Sequence, residues 1–254
     1  MKYQNGEMYD RSTRDTYRKL WYEMVERYLD MYLPKEGRVL DAGGGTGEFC
    51  IRAAKLRPKL SFINFDISKN MLTIANKKLS KLGLESRMRC QEGDIMNMPF
   101  EENSFDYVMC LGDALSFCSD AEKALSELSR VMADKGLLHI SVNAFWGNFA
   151  IMIGKGVDAG FTFEDIKNYY DTHLIHQHGV STDCRSFTFQ ELEDIGKRNG
   201  LICIKAFATP VFPVHNDLLA ADEKYEYMCK LQYRHCEDEH LIDFGNHINV
   251  IYEK

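Results

Sequence analysis

The chain contains no apolar run long enough to cross a bilayer, and its first ten residues lack the hydrophobic segment that a secretory leader needs. A soluble, cytoplasmic protein is expected. Positive charge is not in excess: 31 Lys and Arg stand against 38 Asp and Glu, for a formal net charge of -7. That balance works against a broad electrostatic hold on nucleic acid and favours a small-molecule or protein substrate. No C-x-x-C pair occurs among the eight cysteines at 50, 90, 110, 118, 184, 203, 229 and 236. Scattered as they are, several inside apolar runs, they read as reduced, buried thiols rather than a disulfide framework. Repeats and low-complexity tracts are also missing. For 254 residues at 45% hydrophobic content, the expectation is one domain with insertions.

What is present is an alternation of strand-like and helix-like segments, the pattern of βαβ units on a parallel sheet. Residues 13–33 carry Trp21, Met24, Val25, Tyr28, Leu29, Tyr32 and Leu33 at helical spacing before Pro34 stops the pattern. Strands are expected at 38–42, 60–65, 87–91, 105–111 and 137–142, with helices at 47–56, 69–82 and 121–132 between them. Asp134-Lys135-Gly136 reads as the turn into the fifth strand. Residues 144–186 lose the periodicity and are expected to be a cap insertion. Thr188 and Glu191 then form a capping-box pattern opening a helix that ends near Gly200, followed by a strand at 201–207. A second insertion at 209–243 precedes a last strand at 247–252.

The most specific signal is Val39-Leu40-Asp41-Ala42-Gly43-Gly44-Gly45-Thr46-Gly47, a strand running through a glycine bend into a helix. A dinucleotide fingerprint G-x-G-x-x-G would need glycine where Glu48 stands, so the match is to D-x-G-x-G-x-G. A diphosphate is poorly served by nearby carboxylates, whereas a sulfonium ligand bearing an ammonium group gains from Asp41 and Glu48. About 20 residues on, Asp66 closes the second strand where a carboxylate can accept from both ribose hydroxyls. Gly93-Asp94-Ile95 follows the third strand. There a carboxylate can accept from an adenine amino group while Ile67 and Ile95 give flat apolar contact.

These residues resemble the core of the class I S-adenosylmethionine-dependent methyltransferase family, over about residues 38–142. Met98-Pro99-Phe100, Ser104-Phe105-Asp106-Tyr107-Val108 and Leu128-Ser129-Arg130-Val131 before Gly136 extend the resemblance. It implies an α/β, Rossmann-like sheet of seven mostly parallel strands with an antiparallel last strand at about 248–252. It also implies S-adenosyl-L-methionine as the methyl donor. By the resemblance, Asp41, Ala42, Gly43, Gly45 and Gly47 border the methionine part, Asp66 the ribose, and Asp94 the adenine. Ile67, Met71, Gly93 and Ile95 complete that wall, with Leu111 and Gly112 under the sulfonium. Nucleic-acid amino-methyltransferases of this fold carry Asn/Asp-Pro-Pro-Tyr after the fourth strand. Here the chain reads Leu111-Gly112-Asp113-Ala114, which points to a small-molecule acceptor. Two rivals are an aminopropyltransferase-like transfer and a non-catalytic donor-binding module.

In that family the amino-terminal region, here residues 1–36, folds over the donor as a lid, so Tyr9 and Tyr17 are donor-contact candidates and Trp21 reads as core. Methyl transfer is an in-line displacement in which a base is optional. Tyr17, His173 and His176 are the candidates for that role. His173, His176 and His178 do not assemble a metal ligand set, because no thiol or carboxylate completes it. Cys229, His235, Cys236 and His240 could share a helix face, with packing the preferred reading. Cys184 reads as a small apolar residue rather than a reactive thiol. The apolar stretch 209–215 could line an acceptor pocket or mediate a homodimer.

Overall fold

The computed structural model describes residues 16–156, 160–175, 183–214, 216–219 and 221–254. The chain opens on α1 (Thr16–Tyr32), whose apolar face buries Leu20, Trp21, Met24, Val25, Tyr28 and Leu29. There follow β1 (Glu36–Ala42), α2 (Glu48–Leu56), β2 (Lys59–Asp66), α3 (Lys69–Leu82), β3 (Met88–Glu92), β4 (Phe105–Cys110) and α4 (Ala121–Val131). The second half holds β5 (Met132–Ala144), α5 (Phe145–Lys155), α6 (Phe163–Thr172), β6 (Leu174–Ile175), β7 (Cys184–Phe187), α7 (Phe189–Arg198), β8 (Ile202–Ala208), α8 (Asp222–His235) and β9 (His247–Glu253).

Strands β3, β2, β1, β4 and β5 lie side by side and parallel. Antiparallel β9 runs beside β5, and β8 pairs antiparallel with β9. Seven strands are expected and nine are present among the described residues, because the first insertion adds β6 and β7. β4 leaves β5 at Ile140, and β7 pairs with the extended end of β5 at Asn143 and Ala144. β5 is also longer than its sequence pattern suggests. Met132 already pairs with Phe105, and the Asp134-Lys135-Gly136 turn bulges out of a ladder that resumes at Leu137 and Tyr107.

One sheet face packs α4 and α7 over Leu40, Ala42, Val108, Cys110, Ile140 and Val250. The other packs α1 and α2 over Val39, Phe62, Tyr107 and Met109. The second insertion packs laterally instead: Val211, Val214, Leu219 and Cys236 join Leu20, Met24 and Tyr28 of α1 against Phe207 and Ile251. The first insertion has its own small core of Phe145, Met152 and Tyr169. α7 begins with the expected capping box, Thr188 and Glu191 each bonding the other's backbone. Among the described residues no helix is long and apolar enough to cross a membrane.

Candidate functional site

Where parallel strands end, their backbone groups and the following loops converge, and here they enclose a cavity of about 410 Å³. β1 delivers the glycine bend. The amides of Gly43 and Gly44 donate to the Phe65 carbonyl at 2.7 and 3.3 Å, tying the bend to the end of β2. Gly43 has φ +76°, and a Cβ there would stand 2.3 Å from that of Ala114, so only glycine fits without displacing the loop after β4. Asp66 fixes the next turn. Its Oδ2 accepts from the Gly45 amide at 2.9 Å and its Oδ1 from the Ser68 amide at 2.7 Å. Burial raises its pKa, and those two amides work in the opposite direction. Each carboxylate oxygen keeps a lone pair for a further donor.

The third strand contributes Gly93, whose amide bonds the Asp66 carbonyl at 3.1 Å, and Asp94, whose Oδ1 accepts from the Met96 amide at 2.9 Å. Beyond β4, the Gly112 amide donates to Ser141 Oγ at 3.0 Å, and Gly112 has φ +72°. Ile67 is 71% exposed at the rim of the cavity while Ile95 is buried in its wall. An isoleucine left that open is available to cover the face of a ligand ring.

Of the residues singled out in the sequence, Gly43, Gly45, Asp66, Ile67, Met71, Gly93, Asp94, Ile95, Leu111 and Gly112 line the cavity. Asp41, Ala42 and Gly47 stand behind its wall. Asp41 is fully buried under Gly44: its Oδ2 and Asn64 Oδ1 both lie within 2.6 Å of where a Gly44 Cβ would stand. Burial, reinforced by the charge of Asp66, pushes the Asp41 pKa up to about 7, with Cys50 acting against it. Glu48 does line the cavity, but its charge is engaged by Arg52 at 3.0 Å and Lys78 at 3.6 Å.

The two described catalytic candidates, Tyr17 and His173, are not among the wall residues. Tyr17 bonds Asn246 through its hydroxyl, away from the cavity wall. His173 closes α6 in the left-handed conformation, stacks on Phe145 at 3.9 Å and pairs with Glu191 at 3.5 Å. Tyr9, His176 and His178 lie outside the described residues. No cluster of three or more His, Cys, Asp or Glu able to hold a metal occurs among the described residues. Among the described residues, neither insertion supplies a wall residue there. The wall also takes Tyr22, Thr46, Phe49, Ser68, Met96, Ala114, Phe117 and Cys118. Ser68 carries a local signal, since it is a helix-capping residue two positions after Asp66 at the start of α3.

Beside the cavity is a pair that no local pattern joins. Asp113 follows Gly112 and accepts from His247 Nδ1 at 2.9 Å across 134 positions of chain. The imidazole lies tilted against Trp21, ring centroids 5.3 Å apart, and Trp21 packs in turn on the cavity residues Tyr22 and Phe49 at 4.8 and 5.5 Å.

Comparison with known proteins follows the same boundaries. Residues 39–136 match a family described as a methyltransferase domain. Over 121 residues the chain is 34% identical to demethylmenaquinone methyltransferase of Staphylococcus aureus, covering 47% of this chain and 48% of that protein. It therefore spans about half the length of the curated relatives it matches. Among solved structures, a possible histamine N-methyltransferase from Thermotoga maritima is 20% identical, with a TM-score of 0.62 over 100% of this chain and 97% of that one. The geranyl diphosphate C-methyltransferase of Streptomyces coelicolor is 12% identical, with a TM-score of 0.61 over 91% of this chain and 79% of that one.

Proposed function

On a chain whose residues 39–136 are a methyltransferase domain and whose sheet is the class I S-adenosylmethionine-dependent methyltransferase fold, we propose an enzyme that methylates a small molecule by in-line displacement. The donor is S-adenosyl-L-methionine, which supplies a methyl group on an electrophilic sulfonium. The observation that carries this reading is Asp66. Its carboxylate is oriented by the Gly45 and Ser68 amides at the wall of a cavity that also presents Asp94, Ile67 and Ile95.

In this reading Asp66 accepts from the ribose hydroxyls and Asp94 from the adenine amino group, with Ile67, Met71 and Ile95 against the ring. Gly43 and Gly45 bring backbone close to the methionine part, and Leu111 and Gly112 lie under the sulfonium. Asp66 and Asp94 place two carboxylates on the wall, which favours a cationic ligand and opposes a pyrophosphate. The chain's own residues position the two reactants and exclude water, which is most of what such a displacement asks of an enzyme. A small acceptor is supported by relatives named for a quinone and for a prenyl diphosphate, and by the acidic net charge.

The test is calorimetric titration with S-adenosyl-L-methionine, then a methyl-transfer assay on small acceptors that include 1,4-naphthohydroquinone and histamine. Saturable 1:1 binding and formation of S-adenosyl-L-homocysteine are expected. Absence of binding overturns the reading, and tight binding without turnover favours a non-catalytic donor-binding module.

A further inference from the structure

Building on the methyl-transfer reading, we propose that His247, held by Asp113, takes the acceptor's proton, so that the acceptor carries an O–H or N–H it must lose. The pair has the geometry of a base and its orienting carboxylate. With Asp113 Oδ1 2.9 Å from Nδ1, the neutral imidazole carries its proton on Nδ1, which leaves Nε2 as the acceptor. Both side chains are neither sealed nor open, at 17% and 16% exposure.

Their position is set by rigid parts. Asp113 adopts φ +67°, unusual for a residue with a side chain, and is pinned there by the Gly112 amide on Ser141 and the Ser116 amide on its own carbonyl at 2.9 Å. His247 opens β9 and is paired with Asn143 of β5. Gly112 is a wall residue, and Trp21 touches both the cavity aromatics and the imidazole, so the dyad adjoins the end of the cavity assigned to the sulfonium. Two buried polar atoms next to it, Asn246 Oδ1 and Trp21 Nε1, have no partner among the described residues, as befits a place where a polar ligand docks. As the acceptor atom bonds to the methyl carbon, the carbon–sulfur bond breaks with its electron pair remaining on sulfur. The acceptor proton passes to His247 Nε2, leaving an imidazolium paired with the Asp113 carboxylate.

The experiment uses the full chain labelled with 15N-histidine and needs no known acceptor. Sinefungin carries an amine where the donor carries its methyl group, and S-adenosyl-L-homocysteine carries nothing there. The His247 ring is expected in the Nδ1–H form, with its Nε2 resonance moved by sinefungin and not by S-adenosyl-L-homocysteine. The Nδ1–H preference is expected to be lost in Asp113→Asn. A His247 ring indifferent to bound sinefungin overturns the proposal and makes the pair a static tie between β4 and β9. Failure of sinefungin to bind overturns the donor reading beneath it. Where 1,4-naphthohydroquinone or histamine is methylated, His247→Asn, which can still donate to Asp113, should lower kcat by about 10²- to 10⁴-fold with the S-adenosyl-L-homocysteine Kd within twofold. Asp113→Asn should lower kcat at constant KM. A kcat within threefold of wild type in His247→Asn refutes the role.

Discussion

Replacing Asp41 by Asn should stabilise the ligand-free protein at neutral pH, by an amount that vanishes in acid. The side chain is fully buried beneath Gly44, and its carboxyl titrates at about 7 in the folded chain against 3.8 when unfolded. Between those values the folded state holds a proton that the unfolded state has released, so stability falls as pH rises. The slope is about 1.4 kcal/mol per pH unit, and the full cost above pH 7 is roughly 4 kcal/mol. His139 conceals this slope in the wild type. Its burial lowers its pKa from 6.5 to about 3, so the unfolded state takes up a proton first and stability is lost as pH falls through that window. From about pH 4 to 6.5 the two slopes oppose each other and nearly cancel.

The assay is therefore a difference: urea unfolding of wild type and Asp41→Asn across pH 4 to 8, without ligand. The variant's advantage should grow from its acid value by roughly 4 kcal/mol and level off above pH 7. The variant alone should show stability rising with pH between 4 and 6.5, the contribution of His139 unmasked. A difference that stays constant over the whole range would refute the argument, since an ordinary carboxylate produces no such growth.

Asp66→Ala should weaken S-adenosyl-L-methionine by about 10- to 150-fold in calorimetry, the worth of a charge-assisted hydrogen bond of roughly 1.5–3 kcal/mol; an unchanged Kd contradicts the ribose assignment. Gly43→Ala forces a Cβ to within 2.3 Å of Ala114 at a φ of +76°, and should lower both the Tm and donor affinity together. Thr188→Ala removes the capping box of α7, whose residues are not part of the cavity wall. It should cost about 1 kcal/mol in chemical denaturation while leaving donor affinity unchanged.

Much of the cavity was legible because its residues sit where strands stop, a position that sequence punctuation marks. Gly43 and Asp66 directly follow apolar strand ends, Asp94 stands two positions after the more polar β3, and a parallel sheet brings such ends together. Asp41 shows the limit of that logic. It precedes the bend by two residues, and the chain folds back over it at Gly44, turning a predicted contact into a buried acid. The pattern of α5, Phe-Trp-Gly-Asn-Phe-Ala-Ile-Met-Ile-Gly-Lys, is apolar nearly all round, so no periodicity separated it from a loop. Tyr17 was placed on the correct helix, yet its partner Asn246 lies 229 residues away and follows from the packing of α1 across the sheet end. The pairing of Asp113 with His247 depends likewise on β9 entering beside β5, a tertiary fact without a local signature.

All described wall residues fall between Tyr22 and Cys118, whereas β7 with α5 and α6 falls between residues 145 and 187. A chimera that exchanges that later stretch for the corresponding stretch of a related protein transplants none of the described wall. The two halves of the molecule can thus diverge on separate schedules, one keeping the described cavity wall while the other is rebuilt.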